Sequence, residues 1–225
     1  MLNKKKLSLS MMCSNLLDLS RILEISKNEN TDYLHIDVMD GEFVPNFGLG
    51  VDYMKGLREM TDIPFDIHLM VKNPEYKLNW LGIKENDVVS IHYESTFQVQ
   101  RALDYLTDFG CKKFLAINPA TPICMIEEVV EFIDGVNILI VNPGFAGQKA
   151  VVSVYKKIEK LFDFLDRNGL TNLIVEADGN ITNVSGKMLS KMGVEMFVLG
   201  SSSVFNGSVD NYAENIRKFR RSVEL

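Results

Sequence analysis

Two histidines and two aspartates stand in short apolar runs of this sequence, and their side chains are of the types that bind metal ions and move protons. His35 and Asp37 share one run, His68 lies in a second and Asp178 ends a third. Alternate residues of a strand share a face, so His35 and Asp37 would point to the same side of a sheet. Buried imidazoles and carboxylates are costly unless a cation gathers them. The four residues therefore predict a site for one divalent cation, where the aspartates would transfer protons.

The chemistry of these four side chains restricts the metal. Two imidazoles and two carboxylates suit Zn, Mn, Fe or Co, whereas Ca prefers cages made only of oxygen. Met39 and Met70 would share the faces of Asp37 and His68, which predicts a polarizable apolar wall around the reacting atoms. His92 also ends an apolar run, and the sequence leaves open whether it belongs to the pocket or packs in the core.

Glycine-containing turns follow three of the apolar runs, and they predict a phosphate site. Glycines let backbone N–H groups approach an anion closely, and no lysine is then required. In parallel barrels the loops after the last two strands commonly bind phosphate. The residues concerned are Gly144, Phe145, Ala146 and Gly147 in the first turn, Gly179 and Asn180 in the second, and Gly200, Ser201 and Ser202 in the third.

Short β-branched or aromatic runs alternate with helix-period segments along the chain. This alternation predicts a (β/α)8 TIM barrel formed by one domain over 1–225, with an open doubly wound sheet as the alternative. In a barrel the carboxyl ends of the strands, where the polar residues stand, converge on one pocket, and the irregular segment 39–51 would lie beside it. The predicted strands are 7–12, 33–38, 64–70, 87–92, 112–117, 137–142, 172–177 and 195–199, and the clearest helical segments are 151–168 and 183–193.

Composition excludes several classes of function. The chain has 225 residues and a formal net charge of −6, so it lacks the excess of Lys and Arg that a nucleic-acid surface needs. No segment approaches the roughly 20 apolar residues that span a bilayer. Serines interrupt the apolar stretch that follows the basic start, so no signal peptide is expected. Three cysteines, Cys13, Cys111 and Cys124, form no CxxC pair, which predicts reduced thiols and a cytoplasmic protein.

Five stretches spread over nearly the whole chain resemble one known family. They read HIDVMDGEFVPN at 35–46, DIHLMV at 66–71, NPGFAGQ at 142–148, EADGN at 176–180 and GSSSVF at 200–205, and the first is highly specific. On these stretches the chain resembles the ribulose-phosphate 3-epimerases and their close relatives, the D-allulose-6-phosphate 3-epimerases.

The resemblance implies a (β/α)8 barrel that epimerises a ketose phosphate at carbon 3 with one divalent metal ion. By position, the implied metal ligands are His35, Asp37, His68 and Asp178, with Asp37 as the proton acceptor and Asp178 as the proton donor. Family members commonly form dimers or hexamers, so a homo-oligomer is expected. The resemblance also implies that Ser10 and His68 contact the sugar, and that Gly144 to Gly147, Gly179, Asn180 and Gly200 to Ser202 surround the phosphate.

Two departures from the ribulose-phosphate pattern bear on the sugar. The chain has Asn180 after Asp178-Gly179, where those enzymes usually read DGG, and SMMCSN at 10–15, where they usually read SILSAD. Both departures favour a hexulose 6-phosphate over D-ribulose 5-phosphate, with activity expected on both sugars because one hydroxymethyl unit is discriminated only modestly.

Two other functions stay open from the sequence. A phospho-sugar lyase or decarboxylase on a related barrel would use the same kind of enediolate, but the D-x-K-x-x-D signature of those relatives is absent after Asp37. A protein that binds metal or sugar phosphate without turnover is the other alternative, since a fold alone does not prove activity.

Overall fold

The chain forms a closed barrel of eight parallel strands in sequence order, and the computed structural model describes residues 4–224. The first and last strands pair with each other, with Leu9 beside Leu199, so the open-sheet alternative is wrong and the barrel prediction is confirmed. The strands are β1 Lys6–Ser10, β2 Tyr33–Met39, β3 Phe65–Met70, β4 Val88–His92, β5 Lys112–Ile117, β6 Gly135–Leu139, β7 Ile174–Asp178 and β8 Met196–Leu199.

Helices cover the outside of the barrel, although not every connection contains an α-helix. Between β3 and β4 the chain makes only short 3₁₀ turns, which begin where Asn73, at φ 47°, precedes Pro74. Between β5 and β6 it forms a 3₁₀ helix, Ile123–Phe132, directly after Pro122. Within residues 4–224, no helix has the length and apolar composition needed to cross a bilayer. The α-helices are α1 Leu19–Asn28, α2 Val51–Met60, α3 Val99–Thr107, α4 Ser153–Arg167, α5 Asn183–Met192 and α6 Tyr212–Val223.

Two strands, β1 and β6, begin earlier and end earlier than the sequence predicts, and the shift is larger in β6. β6 covers Gly135–Leu139 rather than 137–142. A Cβ atom built at Gly135 would lie 2.5 Å from the carbonyl oxygen of Ile174 and 2.6 Å from the ring of Phe114. Glycine is therefore required where β6 enters the barrel, a packing constraint that strand propensity does not detect.

The interior of the barrel is layered from an apolar bottom to a polar top. Tyr33, Val88, Phe114 and Met196 form a small apolar cluster that is distinct from the main core between strands and helices. Since alternate residues of a barrel strand point inward, the inward positions of β2 run from Tyr33 through His35 and Asp37 to Met39. The polar side chains of interest therefore stand above the apolar cluster, at the carboxyl ends of the strands.

Candidate active site

A cavity opens at the carboxyl-terminal mouth of the barrel, and it gathers the residues that the sequence singles out. Among the predicted site residues, all of which lie in the described part of the chain, His35 alone does not line the cavity, because it is fully buried beneath Asp37. The lining residues include Ser10, Asp37, Met39, His68, Met70, Gly144, Phe145, Ala146, Gly147, Asp178, Gly179, Asn180, Gly200, Ser201 and Ser202.

The floor of the cavity is a cluster of two imidazoles and two carboxylates. One ligand atom from each of His35, Asp37, His68 and Asp178 lies within 4.8 Å of the others. Nε2 of His35 is 3.2 Å from Oδ1 of Asp37 and 3.7 Å from Oδ2 of Asp178. Nδ1 of His68 is 3.3 Å from Oδ1 of Asp37 and 3.2 Å from Oδ2 of Asp178. Each imidazole thus turns one nitrogen toward both carboxylates.

This cluster fits a divalent cation. Nδ1 of His68 is buried and makes no hydrogen bond, although two carboxylate oxygens face it. Burial alone would lower the pKa of both imidazoles, but the surrounding aspartates raise the pKa of His35 and of His68 above the usual value. The site therefore draws positive charge, and its two nitrogens and two carboxylates are ligands that suit a transition metal.

Asp37 is held in its ionised form by its neighbours. Its Oδ2 accepts a hydrogen bond of 3.2 Å from the hydroxyl of Ser10, and its Oδ1 faces His35. Burial opposes the charge, yet His35 and His68 lower the pKa of the Asp37 carboxyl well below its usual range. A carboxylate that stays ionised and is oriented in this way can accept a proton.

A second carboxylate lies behind His35. Oδ2 of Asp66 is 2.6 Å from Nδ1 of His35 and accepts a hydrogen bond of 2.7 Å from Ser8. Glu176 lies beside this pair, is fully buried, and shares a side-chain hydrogen bond with Asp66. Burial, and then the charge of Asp66, raise the pKa of Glu176 well above its usual value. Glu176 is therefore a neutral member of this layer, and Asp66 carries the charge.

His68 also has a partner behind it. Its Nε2 lies 2.8 Å from Nε2 of His92, and Nδ1 of His92 lies 3.3 Å from Oε2 of Glu94. Burial lowers the pKa of His92 to about 4. The hydrogen bonds that Glu94 accepts outweigh its burial and lower its pKa to about 2. The sequence leaves the role of His92 open, and the structure places its ring against His68, behind the cavity.

The side of the cavity formed by the loops after β7 and β8 presents unpaired backbone donors. Within residues 4–224, the N–H groups of Gly179, Asn180, Ser201 and Ser202 donate no hydrogen bond. Gly179 has φ +110°, and a Cβ there would lie 2.5 Å from the side chain of Val141, so only glycine fits. The hydroxyl of Ser202 donates to the side-chain oxygen of Asn180. Among the described residues, 4–224, no Lys or Arg lines the cavity, so any anion bound on this side is held by amides and hydroxyls.

Two loops meet across the mouth of the cavity. The side-chain amide of Asn46, in the loop after β2, donates a hydrogen bond of 2.7 Å to the carbonyl of Gly144, in the loop after β6. Val44 packs with Met39 and Met70 in a separate buried apolar cluster. The methionines therefore form an apolar wall that the loop after β2 covers on one side.

Three residues of the site's surroundings are missed by sequence reasoning. Asp66 and Ser8 stand behind His35, and Glu94 stands behind His92. The period of two along a strand offered a signal, because Asp66 and Ser8 each precede a predicted site residue by two positions. That signal marks the face of the strand but does not identify which ring nitrogen each residue contacts.

Comparison with known sequences relates this chain to one family. The model of the ribulose-phosphate 3 epimerase family matches residues 6–205. Ribulose-phosphate 3-epimerase from Bacillus subtilis is 34% identical over 183 residues, which cover 81% of this chain and 84% of that protein. The chloroplastic ribulose-5-phosphate-3-epimerase of Arabidopsis thaliana is 35% identical over 215 residues, which cover 95% of this chain and 75% of that protein.

Solved structures of low sequence identity share the barrel. The 3-hexulose-6-phosphate synthase of Salmonella typhimurium aligns with a TM-score of 0.71 at 14% identity and covers 97% of this chain and 98% of its own. The 3-keto-L-gulonate-6-phosphate decarboxylase of Vibrio cholerae aligns with a TM-score of 0.71 at 11% identity and covers 99% of this chain and 98% of its own. At such identity these likenesses bear on the fold alone.

Proposed function

This chain belongs to the ribulose-phosphate 3-epimerase family and is an isomerase, and we propose that it inverts carbon 3 of a ketose phosphate by a two-aspartate mechanism at a divalent metal site. The observation that carries this proposal is the cluster in which Asp37 and Asp178 lie within 4.8 Å of each other and of both imidazoles. The two carboxylates come from β2 and β7, strands that are not neighbours in the barrel.

The reaction requires one group to remove a proton and a second group to return one. Asp37 removes the proton from carbon 3, beside the ketone, and the electron pair of the C–H bond moves toward the carbonyl oxygen to form an enediolate. Asp178, in its protonated form, then delivers a proton to the opposite face of carbon 3, and the carbonyl re-forms. Ser10 orients Asp37 through its hydrogen bond, so the base is positioned before the substrate arrives.

His35, Asp37, His68 and Asp178 are the residues that would hold the metal. Once bound, the cation supplies positive charge beside the oxygens on which negative charge develops, which lowers the barrier to proton removal. The donor set fits Zn, Mn, Fe or Co, and does not choose among them. Met39 and Met70 limit the access of water that would otherwise misprotonate the enediolate.

The phosphate of the substrate lies against the loops after β7 and β8, next to the end of β1 that carries Ser10. Unpaired N–H groups of Gly179, Asn180, Ser201 and Ser202 supply its hydrogen bonds, together with the turn that contains Gly144 and Gly147. Backbone donors of this kind bind phosphate without a lysine. Cavity side chains then hold the sugar between this anchor and the metal ligands.

We take D-ribulose 5-phosphate as the first substrate candidate, because it is the sugar phosphate named for the relatives of this chain. A hexulose 6-phosphate, specifically D-allulose 6-phosphate, is the second candidate. It is favoured by Asn180, whose side chain accepts a hydrogen bond from Ser202 at the phosphate side, and by Met12 and Cys13, which line the cavity near Ser10.

Two further expectations from the sequence remain predictions. They are a homo-oligomer, either a dimer or a hexamer, and a cytoplasmic location.

The decisive experiment measures epimerisation of both sugars by the purified, metal-loaded protein in deuterated water. A two-base route exchanges its protons with solvent, so either substrate should gain deuterium at carbon 3 as it inverts. A preference above about tenfold in kcat/KM, which is about 1.4 kcal/mol, identifies the better sugar. Cleavage products would indicate a lyase, and tight binding of both sugars without inversion would indicate a binding protein. Either result would refute the proposal.

A further inference from the structure

The three histidines of the chain are His35, His68 and His92, and His92 is the one that carries no role in the proposed reaction. Its ring is fully buried between two contacts, with Nε2 at 2.8 Å from Nε2 of His68 and Nδ1 at 3.3 Å from Oε2 of Glu94. Phe43 packs against the same ring, with centroids 4.8 Å apart. The imidazole is therefore held with each nitrogen facing a single partner.

Hydrogen-bond chemistry sets where the protons lie in this chain of contacts. The other oxygen of Glu94, Oε1, accepts a hydrogen bond of 2.9 Å from the backbone N–H of Asn118 and a second from the hydroxyl of Thr121. A carboxylate with two such donors only accepts, so Nδ1 of His92 must donate to Oε2. The neutral ring of His92 then has a lone pair on Nε2. The short contact between Nε2 atoms therefore requires the proton to sit on His68.

The proton on Nε2 of His68 determines the state of the other ring nitrogen, Nδ1. With Nε2 protonated, the neutral ring that a bound cation requires carries its lone pair on Nδ1, the atom that lies 3.3 Å from Asp37 and 3.2 Å from Asp178. The reversed arrangement would aim the lone pair of Nδ1 of His92 at the lone pairs of Glu94. It would also place a hydrogen on Nδ1 of His68, where a cation needs a free electron pair.

We infer that Glu94 and His92 are positioning residues that select the tautomer of His68 able to bind the metal through Nδ1. This inference rests on the proposed metal site and adds a relay of two side chains behind it. His35 has a direct carboxylate partner in Asp66, whereas His68 reaches its carboxylate, Glu94, through a second imidazole. Partners of this kind fix ring orientation and ligand basicity, and their loss commonly weakens metal affinity about 10–100-fold.

Nitrogen NMR of protein labelled with ¹⁵N-histidine tests the assignment directly, because three histidines contribute only six ring nitrogens. In the tag-free, zinc-loaded protein we expect protons on Nδ1 of His92 and Nε2 of His68, with Nε2 of His92 unprotonated. Protonation of Nε2 in His92, or an unprotonated Nε2 in His68, would overturn the inference. The measurement uses no substrate, so its outcome is independent of whether the protein is an epimerase.

Glu94→Gln and Thr121→Val form a matched pair of variants. In Glu94→Gln, the amide oxygen still accepts from the N–H of Asn118, and the amide NH₂ faces Nδ1 of His92 as a donor. The tautomers of His92 and His68 should therefore reverse, and zinc affinity should fall about 10–100-fold. Thr121→Val removes a hydrogen bond from Oε1 but leaves Oε2 and His92 in contact. It should retain the wild-type tautomers and a zinc affinity within about threefold of wild type.

Competition with a chelator measures zinc affinity, and thermal unfolding of the metal-free proteins measures stability. A purely structural role for Glu94 would lower stability in both variants and leave the tautomers and zinc affinity unchanged, which would refute the inference. If Glu94→Gln does not fold, the wild-type spectrum alone decides, since it reports every ring nitrogen without a substitution.

Discussion

Oδ2 of Asp66 lies 2.6 Å from Nδ1 of His35, and both side chains are fully buried inside the barrel. The hydroxyl of Ser8 donates to the same oxygen, so Asp66 is an acceptor for both partners. His35 must then donate from Nδ1, which leaves its Nε2 free to face Asp37 and Asp178. The pair thus presents one nitrogen of His35 as a metal ligand from beneath the cavity.

Replacement of this imidazole should remove a metal ligand. In His35→Ala we expect zinc affinity to fall about 100-fold or more, because one of four ligands is lost and the partner of Asp66 disappears with it. Elemental analysis of the purified protein and chelator competition measure stoichiometry and affinity. Unchanged values for both would show that His35 lies outside the metal site.

Neutral replacements of the two aspartates should slow the reaction without unfolding the barrel. Asp37→Asn and Asp178→Asn should each lower kcat by about 100-fold or more, the usual scale for loss of a general acid or base. Asp52→Asn, which changes an exposed residue at the start of α2, is the control and should retain wild-type kcat. Metal content is measured for each variant, and near-native turnover by a metal-loaded Asp37→Asn or Asp178→Asn protein would contradict the two-aspartate mechanism.

A negative charge placed beside the unpaired amides should repel the phosphate. Ser201→Asp should raise KM about tenfold or more, since a carboxylate there would compete for the same donors and oppose the anion. Ser201→Asn has nearly the same shape without the charge, and we expect a much smaller change in KM. Equal KM values for the two variants would place the phosphate elsewhere in the cavity.

Gly48 allows the loop after β2 to fold back on the strand that carries Asp37. A Cβ at this position would lie 2.3 Å from the carbonyl oxygen of Asp37 and 2.7 Å from the backbone nitrogen of Met39. Gly48→Ala should therefore destabilise the protein by roughly 1–3 kcal/mol and lower kcat/KM, because backbone must move.

Gly50→Ala is the matched control for this change, because a Cβ added at Gly50 would have no atom within 4 Å and the residue belongs to the same loop. Urea unfolding measures the free energy, and steady-state kinetics measure kcat/KM. The same stability and kcat/KM for both alanine variants would show that close approach at Gly48 is unimportant.

Lys157 should make stability depend on alkaline pH. Its ammonium donates to the carbonyls of Asn118 and Thr121, and burial lowers its pKa from 10.5 to about 8 against the opposing charge of Glu94. Between about pH 8 and 10.5 the unfolded chain keeps a proton that the folded chain has lost, so the contribution of this group to stability rises with pH over that range.

The test compares wild type with Lys157→Met by urea unfolding at several pH values from about 7 to 11. The methionine variant leaves the carbonyl of Thr121 without its donor, whereas the carbonyl of Asn118 keeps the N–H of Thr121. This loss costs stability at every pH, but the variant has no group here that titrates. The difference in unfolding free energy, wild type minus variant, should therefore grow as pH rises from about 8 to 10.5. A difference that stays constant over this range would contradict the lowered pKa of Lys157.

Much of the fold and of the site follows from sequence alone. Runs that are apolar on both faces predict parallel strands covered by helices, and the period of two within a strand places His35, Asp37 and Met39 on one face. Because the carboxyl ends of parallel strands meet at one mouth of a barrel, Asp178 and the glycine turns could be assigned to the same pocket from their positions after a strand. These inferences need only local periodicity and the direction of the strands.

The tertiary structure decided the contacts that depend on how neighbouring strands are staggered. The pairing of β2 with β3 sets His35 beside Asp66, and that of β3 with β4 sets His68 beside Ser90, one inward position before His92. Sequence spacing cannot supply this register, because a shift of the strands changes every lateral neighbour while leaving the pattern along each strand intact. The partners of the ring nitrogens, the link from Asn46 to Gly144 and the 3₁₀ connections after β3 and β5 all depend on such long-range packing. Local sequence therefore determined which side chains face the pocket, and closure of the barrel determined what each of them touches.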